Sequence, residues 1–259
     1  MFHYEYPRFE KKYLLRIEML EQLRDYPRNY INLLFRGYGN GIVNGCELKW
    51  EENELTVLPG MIYWGRNLYF MEEPYKLECK AQDNLCYLKV KFLEEIKESV
   101  KVLGMASIYI DNKRPNYACE MEIGRFRLQA GARLRSSYKN FSDFSTEYDT
   151  INRIHTLFSD NGGSTISPGI LIQFAHEMLE KDLSDTYDVS FCMNVLANDG
   201  KIASKCIKTY LKRQCDSDVR KEDSNEKIYE GLLNTLKSRS GTGNYQKGND
   251  QRKKGIVLL

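Results

Sequence analysis

The residues best suited to acid–base or nucleophilic chemistry are three histidines, His3, His155 and His176. They lie far apart, and neither HxH nor HxxxH occurs. A triad of His155, Asp149 and a serine lacks the GxSxG context that would position a nucleophile. His176 falls within the apolar stripe of FAHEMLE, where a histidine of a helix surface or core is the favoured interpretation. The sequence therefore predicts no catalytic residue, and an enzyme would need an unrecognised cleft that joins a histidine to carboxylates.

Thiol chemistry and metal binding are also not indicated. The cysteine count is odd, no pair has CxxC spacing, and most of the thiols lie among apolar residues. The seven are Cys46, Cys79, Cys86, Cys119, Cys192, Cys206 and Cys215. This pattern predicts buried, reduced thiols and no structural zinc. GxxxxGK[ST] is also absent, so no nucleotide-binding loop is predicted. The sequence predicts no other cofactor.

Charge is nearly balanced, with 38 basic and 36 acidic residues and a net charge of +2. Such a chain has no strong field for nucleic acid or an anionic membrane. Four arginines, Arg125, Arg127, Arg133 and Arg135, nevertheless surround one predicted strand. They could face an acidic partner, pair within the chain, or contact phosphates. A nucleic-acid-binding accessory protein that uses these arginines and the basic tail is therefore the alternative function.

Targeting signals are not indicated by the sequence. The start MFHYEYPRFEKK lacks the apolar core of a signal peptide, and no apolar run reaches the roughly 18–20 residues of a membrane span. We therefore expect a cytoplasmic protein with no membrane partner.

The elements that would position any functional residue begin with an N-terminal helical region. Residues 8–24 carry apolar side chains at helical spacing, and Asp25-Tyr26-Pro27 indicates a turn. Pro27 suits the first position of a second helix, whose stripe continues to Gly37. The pattern predicts a helical hairpin.

The apolar period then changes to two, which predicts a β-meander. Residues 46, 48 and 50 alternate with charged ones, and turns are expected at 52–54, 59–60 and 65–67. Further strands fit 86–92, 106–110 and 120–128. In the last of these the alternation slips at Gly124, which predicts a bulge. We expect an antiparallel β-sandwich or small barrel.

The rest of the chain is predicted to be less regular, then helical. SSYKNFSDFSTEYDT could be an extended arm along a partner or a long ordered loop. Ser167-Pro168 suits a helix start, and further helices fit 189–196, 200–215 and the residues after Asp223. The fold class is thus α+β with a helical C-terminal unit. The predicted regions are the hairpin at 1–38, the β-domain at 39–132, the arm or loop at 133–166, the helical unit at 167–237, and a disordered basic tail with an apolar tip at 238–259.

The segment NGIVNGCEL followed by LTVLPGMIYWGRNLYF resembles the β-module of fibre-attachment and baseplate-associated proteins of contractile phage tails. Its motifs are Gly41-Ile42-Val43-Asn44-Gly45, an alternating strand at 46–50, a strand over 55–60 that ends in Pro-Gly, and a polar hairpin turn at 65–67. The stretches GRFRLQAGARLR and NFSDFSTEYDTINRIH add to a resemblance with small proteins encoded among contractile injection system genes. The chain passes into a helical unit rather than fibrous repeats, so the resemblance implies an accessory baseplate, collar or adaptor protein.

This resemblance implies a non-catalytic assembly role within a tail-like particle that can be released by lysis. The implied partners are baseplate, tube, sheath or fibre subunits, or further copies of the chain. Trp50 shares parity with the core positions, whereas Trp64 is out of step with its neighbours and adjoins a turn. The apolar tip could dock on a partner or be a frayed end without a role. Candidate partner contacts are Trp64, Arg66, Tyr138, Phe141, Phe144, Tyr148, Ile256, Val257, Leu258 and Leu259.

Overall fold

The computed structural model describes residues 4–12, 14–51, 53–181, 185–214 and 224–239. Within these residues the chain is α+β, with one N-terminal helix, thirteen short strands in four sheets, and four C-terminal helices. The α+β class predicted from the sequence is confirmed at this level. No closed barrel forms among the described residues, so the barrel alternative is wrong.

The N-terminal region contains one helix, α1, over Ile17–Leu34, instead of the predicted hairpin. Pro27 lies inside this helix and does not begin a second one. A proline removes its own amide hydrogen bond, but its fixed φ is compatible with a helical backbone. The apolar stripe keeps its helical spacing on both sides of Pro27. The predicted helical segment before residue 17 is not helical where it is described.

The largest sheet has five strands in the order β13-β12-β1-β4-β5. Its strands are β1 (Gly41–Gly45), β4 (Gly60–Trp64), β5 (Asn67–Met71), β12 (Phe158–Asp160) and β13 (Gly163–Thr165). β1 pairs in parallel with β12, whereas its pairing with β4 is antiparallel. Among the described residues of 39–132, every pairing between strands is antiparallel, as predicted; the parallel pairing adds a strand from outside that range. The parallel strand comes from the 133–166 segment, which sequence alternation did not assign to the sheet.

A second sheet has the order β10-β7-β11. It contains β7 (Gln82–Phe92), β10 (Ala106–Asp111) and β11 (Glu120–Leu128). The register of β11 against β7 shifts between Glu122 and Gly124, so the predicted bulge is confirmed. The Cβ of any larger residue at Gly124 would lie 2.7 Å from Cγ2 of Ile151. Close packing therefore also requires a glycine there.

Two smaller sheets complete the β region. β2 (Leu48–Glu51), β3 (Glu54–Val57) and β6 (Tyr75–Glu78) form one, and β8 (Ile96–Lys97) and β9 (Val102–Leu103) form a short hairpin. Leu55, Val57, Leu88, Val90 and Phe126 are buried in the core that the sheets share.

Residues 133–166 pack against the rest of the chain. They contain a short 3₁₀ helix, Phe141–Ser145, as well as β12 and β13. Phe141 and Phe144 enter the helical core, whereas Leu134, Ile151 and Phe158 enter the β core. The segment therefore contributes to both cores, and the five-part division of the chain stays a prediction.

The C-terminal unit contains α2 (Pro168–Leu179), α3 (Thr186–Ala197), α4 (Ser204–Gln214) and α5 (Asn225–Ser238). Ser167 is the N-cap of α2 and Pro168 is at its first turn, as predicted. Phe174, Tyr210, Leu211 and Leu232 form the centre of this unit's core. Cys46, Cys79, Cys86 and Cys192 are buried free thiols, but Cys119 is half-buried and Cys206 is exposed.

Candidate interaction surface

The most prominent surface feature is the apolar face of α1. Leu20, Leu23, Tyr30 and Leu34 share one side of the helix, with Leu33 at its border, because they recur at helical spacing. No residue of α1 is buried, and these five side chains are about half to two-thirds exposed. The apolar stripe that would normally lie on a core is therefore open in the single chain.

The exposed apolar residues are concentrated at this end of the chain. Among the residues that the structure describes, 22 large apolar side chains are exposed, and twelve of them lie between residues 4 and 34. Scattered single apolar side chains are normal on a protein surface, whereas a contiguous group indicates a binding surface. We call the apolar residues of this stretch the N-terminal apolar face. Its members are Tyr4, Tyr6, Phe9, Leu14, Leu15, Ile17, Leu20, Leu23, Tyr26, Tyr30, Leu33 and Leu34.

The opposite side of α1 is polar and internally paired. Arg24 donates to both carboxylate oxygens of Asp25, at 2.7 and 2.9 Å, and this hydrogen bonding lowers the pKa of Asp25. Gln22 donates to Glu5 at 2.7 Å and so joins the helix to the preceding segment. Phe35, directly after α1, is buried and its ring stacks on that of Tyr63 at 5.5 Å. The helix is thus anchored at its C-terminal end.

Two of the predicted contact residues lie at the β4–β5 hairpin. Gly65 and Arg66 both have positive φ, at 56° and 69°, and connect the paired residues Trp64 and Asn67. These values fit a two-residue type I′ turn, and they leave the Arg66 side chain exposed. Trp64 is half-buried, and its ring stacks on that of Phe92 with centroids 4.4 Å apart.

The predicted aromatic contacts at 138–144 are used inside the chain. Phe141 is fully buried and Phe144 is 5% exposed. Tyr138 stacks on Phe144 with centroids 3.8 Å apart, and its hydroxyl donates to the carbonyl of Ile151 at 2.7 Å. Burial raises the pKa of Tyr138 to about 12. In this structure Phe141 and Phe144 are core residues of the chain, and a role for them as partner contacts stays a prediction.

The last predicted contacts fall into two groups. Tyr148 is 59% exposed, and the guanidinium of Arg127 lies over its ring at 5.7 Å. Ile256, Val257, Leu258 and Leu259 lie outside the described residues, so their docking stays a prediction. The structure does not bring the six described members of the predicted set together into one surface. The stripe of α1 is visible in the sequence, where it predicted a helical hairpin and not a partner contact.

The arginine cluster of the alternative function is partly neutralised by carboxylates of the same chain. Arg125 donates to both oxygens of the buried Glu122, at 2.7 and 2.9 Å. Arg135 makes the same type of contact with Asp143, at 2.5 and 2.9 Å. The Arg135 hydrogen bonds lower the pKa of Asp143 to about 2. These pairs favour internal salt bridges over phosphate binding for two of the four arginines.

Catalytic chemistry has little support in the described residues. Burial lowers the pKa of His155, and the charge of Arg125 lowers it further, but neither His155 nor His176 lines the cavity of about 850 Å³ or the cavity of about 400 Å³. Burial raises the pKa of Cys46 to about 11 and that of Cys192 to about 12. Thiols with such pKa values are poor nucleophiles near neutral pH. No group of three potential metal ligands occurs in the described part of the chain.

A cavity of about 850 Å³ with a mixed lining, in which Arg28, Asn67, Glu95 and Ser107 are polar, lies between two of the sheets. Its floor is formed by Cys46, Val57, Ile62, Val90 and Ile123. One wall is β5, and the other is formed by residues 102 and 104–108, which lead into β10. Sequence alternation could not reveal this cavity, because it depends on how the sheets are placed relative to one another.

A second cavity, of about 400 Å³, lies where the β region meets the start of α2. Arg153 lines it together with Tyr138, Gly169 and Lys201. The Arg153 guanidinium is already bound to Glu47 at 3.1 Å and to the carbonyl of Cys46 at 3.3 Å. Its charge therefore serves mainly to join the β region to the loop before β12.

In the described residues, no helix is both long and apolar enough to span a bilayer.

Comparisons with known proteins give a weak structural similarity and no family. No protein-family model matches the chain, and no curated protein matches it. A chain of the cryo-electron microscopy structure of the type VI secretion system TssK–TssF–TssG baseplate subcomplex aligns with a TM-score of 0.40 and 10% identity, over 90% of this chain and 98% of that chain. The crystal structure of TssK aligns with a TM-score of 0.35 and 8% identity, over 90% of this chain and 69% of that one. Both scores are below 0.5, so the similarity assigns neither a family nor a residue role.

Proposed function

We propose that this chain is a non-catalytic assembly component of a contractile, phage tail-like particle, and that it binds another particle protein through the N-terminal apolar face. The single observation that carries the assembly role is the exposed apolar stripe of α1, of which no residue is buried. The particle type rests on the resemblance of residues 38–72 to the β-module of baseplate-associated and fibre-attachment proteins. Baseplate, collar and fibre-adaptor positions remain the three alternatives.

The energetics favour a role for this face in binding. Fully burying one leucine or tyrosine side chain contributes roughly 1.5–3 kcal/mol. Several such side chains lie on one helix, so a partner groove could gain substantial free energy from the α1 stripe alone. A helix that docks its apolar face in a groove is a common mode of recognition. The polar side of α1 would stay in water, where Arg24 and Asp25 are already paired.

The test uses particles sedimented from producing cells, with paired variants of the full chain. Leu23→Asp with Tyr30→Asp places two charges on the apolar face, and Asn29→Asp with Asn32→Asp places the same charges on the exposed polar side. We expect the apolar-face variant to be depleted from the particles at least tenfold, because two buried side chains are worth more than about 1.4 kcal/mol. The polar-side variant should sediment with them.

Two results would contradict the proposal. Complete particles that lack this protein in every purification would exclude a structural role. Equal retention of both variants would show that the partner is not bound by α1. Both variants should unfold at the same urea concentration as the unaltered chain, because none of the four positions is buried.

A further inference from the structure

The larger cavity is bordered by the free edges of two sheets. Within the described residues, β5 pairs only with β4, and β10 pairs only with β7. All five residues of β5 line the cavity, as do the first three residues of β10, Ala106, Ser107 and Ile108. Successive side chains of a strand point to opposite faces, so a cavity that contacts consecutive residues must run along the strand's edge.

Open strand edges bind further strands, and this pair of edges is flanked by exposed apolar side chains. Phe70 is 65% exposed, Val102 61%, Tyr75 46% and Met105 40%. Natural proteins rarely leave such edges open, because unpaired backbone groups beside apolar side chains favour association. At one end of the cavity, side chains connect the two walls. Asn67 donates to Glu95 at 3.1 Å, and the Tyr69 ring packs near Gly104.

We propose that the groove between β5 and β10 binds residues 255–259 of the same chain, Gly-Ile-Val-Leu-Leu, as an added strand. Four consecutive apolar residues suit a strand that is covered on both faces. On one face this strand would meet the floor formed by Val57, Ile62 and Ile123. Its backbone would pair with the free edge of β5, of β10, or of both.

The length of chain outside the described residues allows this placement. Twenty residues, 240–259, follow Arg239. Residues 240–254 connect Arg239 to the apolar segment, and at about 3.3 Å per residue they can extend roughly 50 Å. A compact chain of this size has a radius of gyration of about 18 Å. This length exceeds twice that radius, so the connection is long enough to bring the apolar segment to the groove from the end of α5.

Charge complementarity supports the same occupant. Arg252, Lys253 and Lys254 directly precede the apolar segment. Exposed carboxylates lie at both ends of the groove, since Glu72-Glu73 follows β5 and Glu94-Glu95 precedes β8. Nearby lysines are partly neutralised, because Lys76 pairs with Glu54 at 2.8 Å and Lys101 with Glu98 at 3.6 Å. Arg28 also lines the groove, but the four carboxylates at its ends outnumber this cation, so a basic segment followed by an apolar strand matches the groove.

Hydrogen exchange on the full chain tests the proposal. We expect the outward-pointing amides of Asn67–Met71 and Ala106–Asp111 to exchange at least tenfold more slowly in the unaltered chain than in a variant with Ile256→Asp and Leu258→Asp. The matched control, Asn249→Asp with Gln251→Asp, adds the same two charges outside the apolar segment and should keep the protection.

Two outcomes would overturn the proposal. Equal exchange of these amides in all three chains would show that residues 255–259 do not occupy the groove. Protection that falls on dilution would show that the occupant belongs to a second copy. The α1 variants should retain full protection, so loss of particle binding and an empty groove are separate results.

Discussion

The indole of Trp64 lies flat on the ring of Phe92, with centroids 4.4 Å apart and planes within 4° of each other. Trp64 belongs to the five-stranded sheet and Phe92 to the end of β7, so this stack joins two sheets. Tyr69 adds an edge-on contact to the same Phe92 ring at 5.1 Å. Trp64 is therefore part of the packing between sheets. Its additional role as a partner contact stays a prediction.

We expect Trp64→Ala to lower the free energy of unfolding by about 2–3 kcal/mol, because it removes a stacked, half-buried ring. Trp50, which is also half-buried and packs on the same core, should give a similar loss. Arg66→Ala, two residues from Trp64 and exposed, should change the free energy by less than about 0.5 kcal/mol. Urea unfolding of the three variants measures this. A Trp64 variant as stable as the Arg66 variant would show that the stack contributes nothing.

The glycines of the Gly-Ile-Val-Asn-Gly motif give a second prediction. Gly45 has a φ of 68°, and a Cβ there would lie 2.2 Å from the carbonyl oxygen of Pro59. Gly65 has a φ of 56°, but nothing lies within 4 Å of its Cβ position. We expect Gly65→Ala to cost about 1 kcal/mol, from backbone strain alone. Gly45→Ala should cost about 3 kcal/mol or more, because the backbone itself must move.

Thermal unfolding of the two glycine variants separates the cost of backbone strain from the cost of steric overlap with Pro59. A clearly lower melting temperature for Gly45→Ala than for Gly65→Ala is the expected result. Equal melting temperatures would mean that β1 and β4 can separate freely at this point. The need for a glycine at position 45 of the Gly-Ile-Val-Asn-Gly motif would then have no steric explanation.

Sequence patterns predicted the features that depend on neighbouring residues, but not those that depend on residues distant in the chain. The slip at Gly124 and the start of α2 at Ser167-Pro168 depend on neighbouring residues, and both were found. The burial of Phe141 and Phe144 could not be predicted, because Phe141 contacts Phe174 and Tyr229, which are distant in sequence. The stripe of α1 was visible, but periodicity does not show whether an apolar face packs on its own chain. The groove between β5 and β10 depends on sheet placement and has no local signal.

The Arg135–Asp143 pair predicts how stability changes with pH. Asp143 has a pKa of about 2 in the folded chain and 3.8 ordinarily. Its contribution is therefore fully present above pH 3.8 and is lost as the pH falls through about 2. One pKa unit corresponds to about 1.4 kcal/mol, and after allowance for solvent screening we expect a loss of about 1–2 kcal/mol.

Urea unfolding between pH 5 and pH 2 measures this loss, with Asp143→Asn as the comparison. The unaltered chain should lose more stability than the variant over this range, because the asparagine does not titrate. At pH 5 the variant should be the less stable of the two. Parallel curves would show that Asp143 has the same pKa in the folded and unfolded states.

The buried carboxylate of Asp188 gives the last prediction. It accepts a hydrogen bond from the hydroxyl of Tyr210 at 2.8 Å, from Gln214 at 2.7 Å and from Nε of Arg239 at 2.8 Å. These contacts connect α3, α4 and the residue after α5. Burial and the neighbouring carboxylate also raise the pKa of Tyr210, so its hydroxyl remains a donor near neutral pH.

We expect Asp188→Ala to lower the free energy of unfolding by about 3–5 kcal/mol, since it leaves the guanidinium and the hydroxyl without their shared acceptor. Tyr210→Phe removes only one neutral donor and should cost about 1–2 kcal/mol. In the double variant the two losses should not add, because both remove the same hydrogen bond. Urea unfolding of the two single variants and the double variant measures the coupling. Strict additivity would show that Asp188 and Tyr210 act independently, and that their hydrogen bond contributes no coupling.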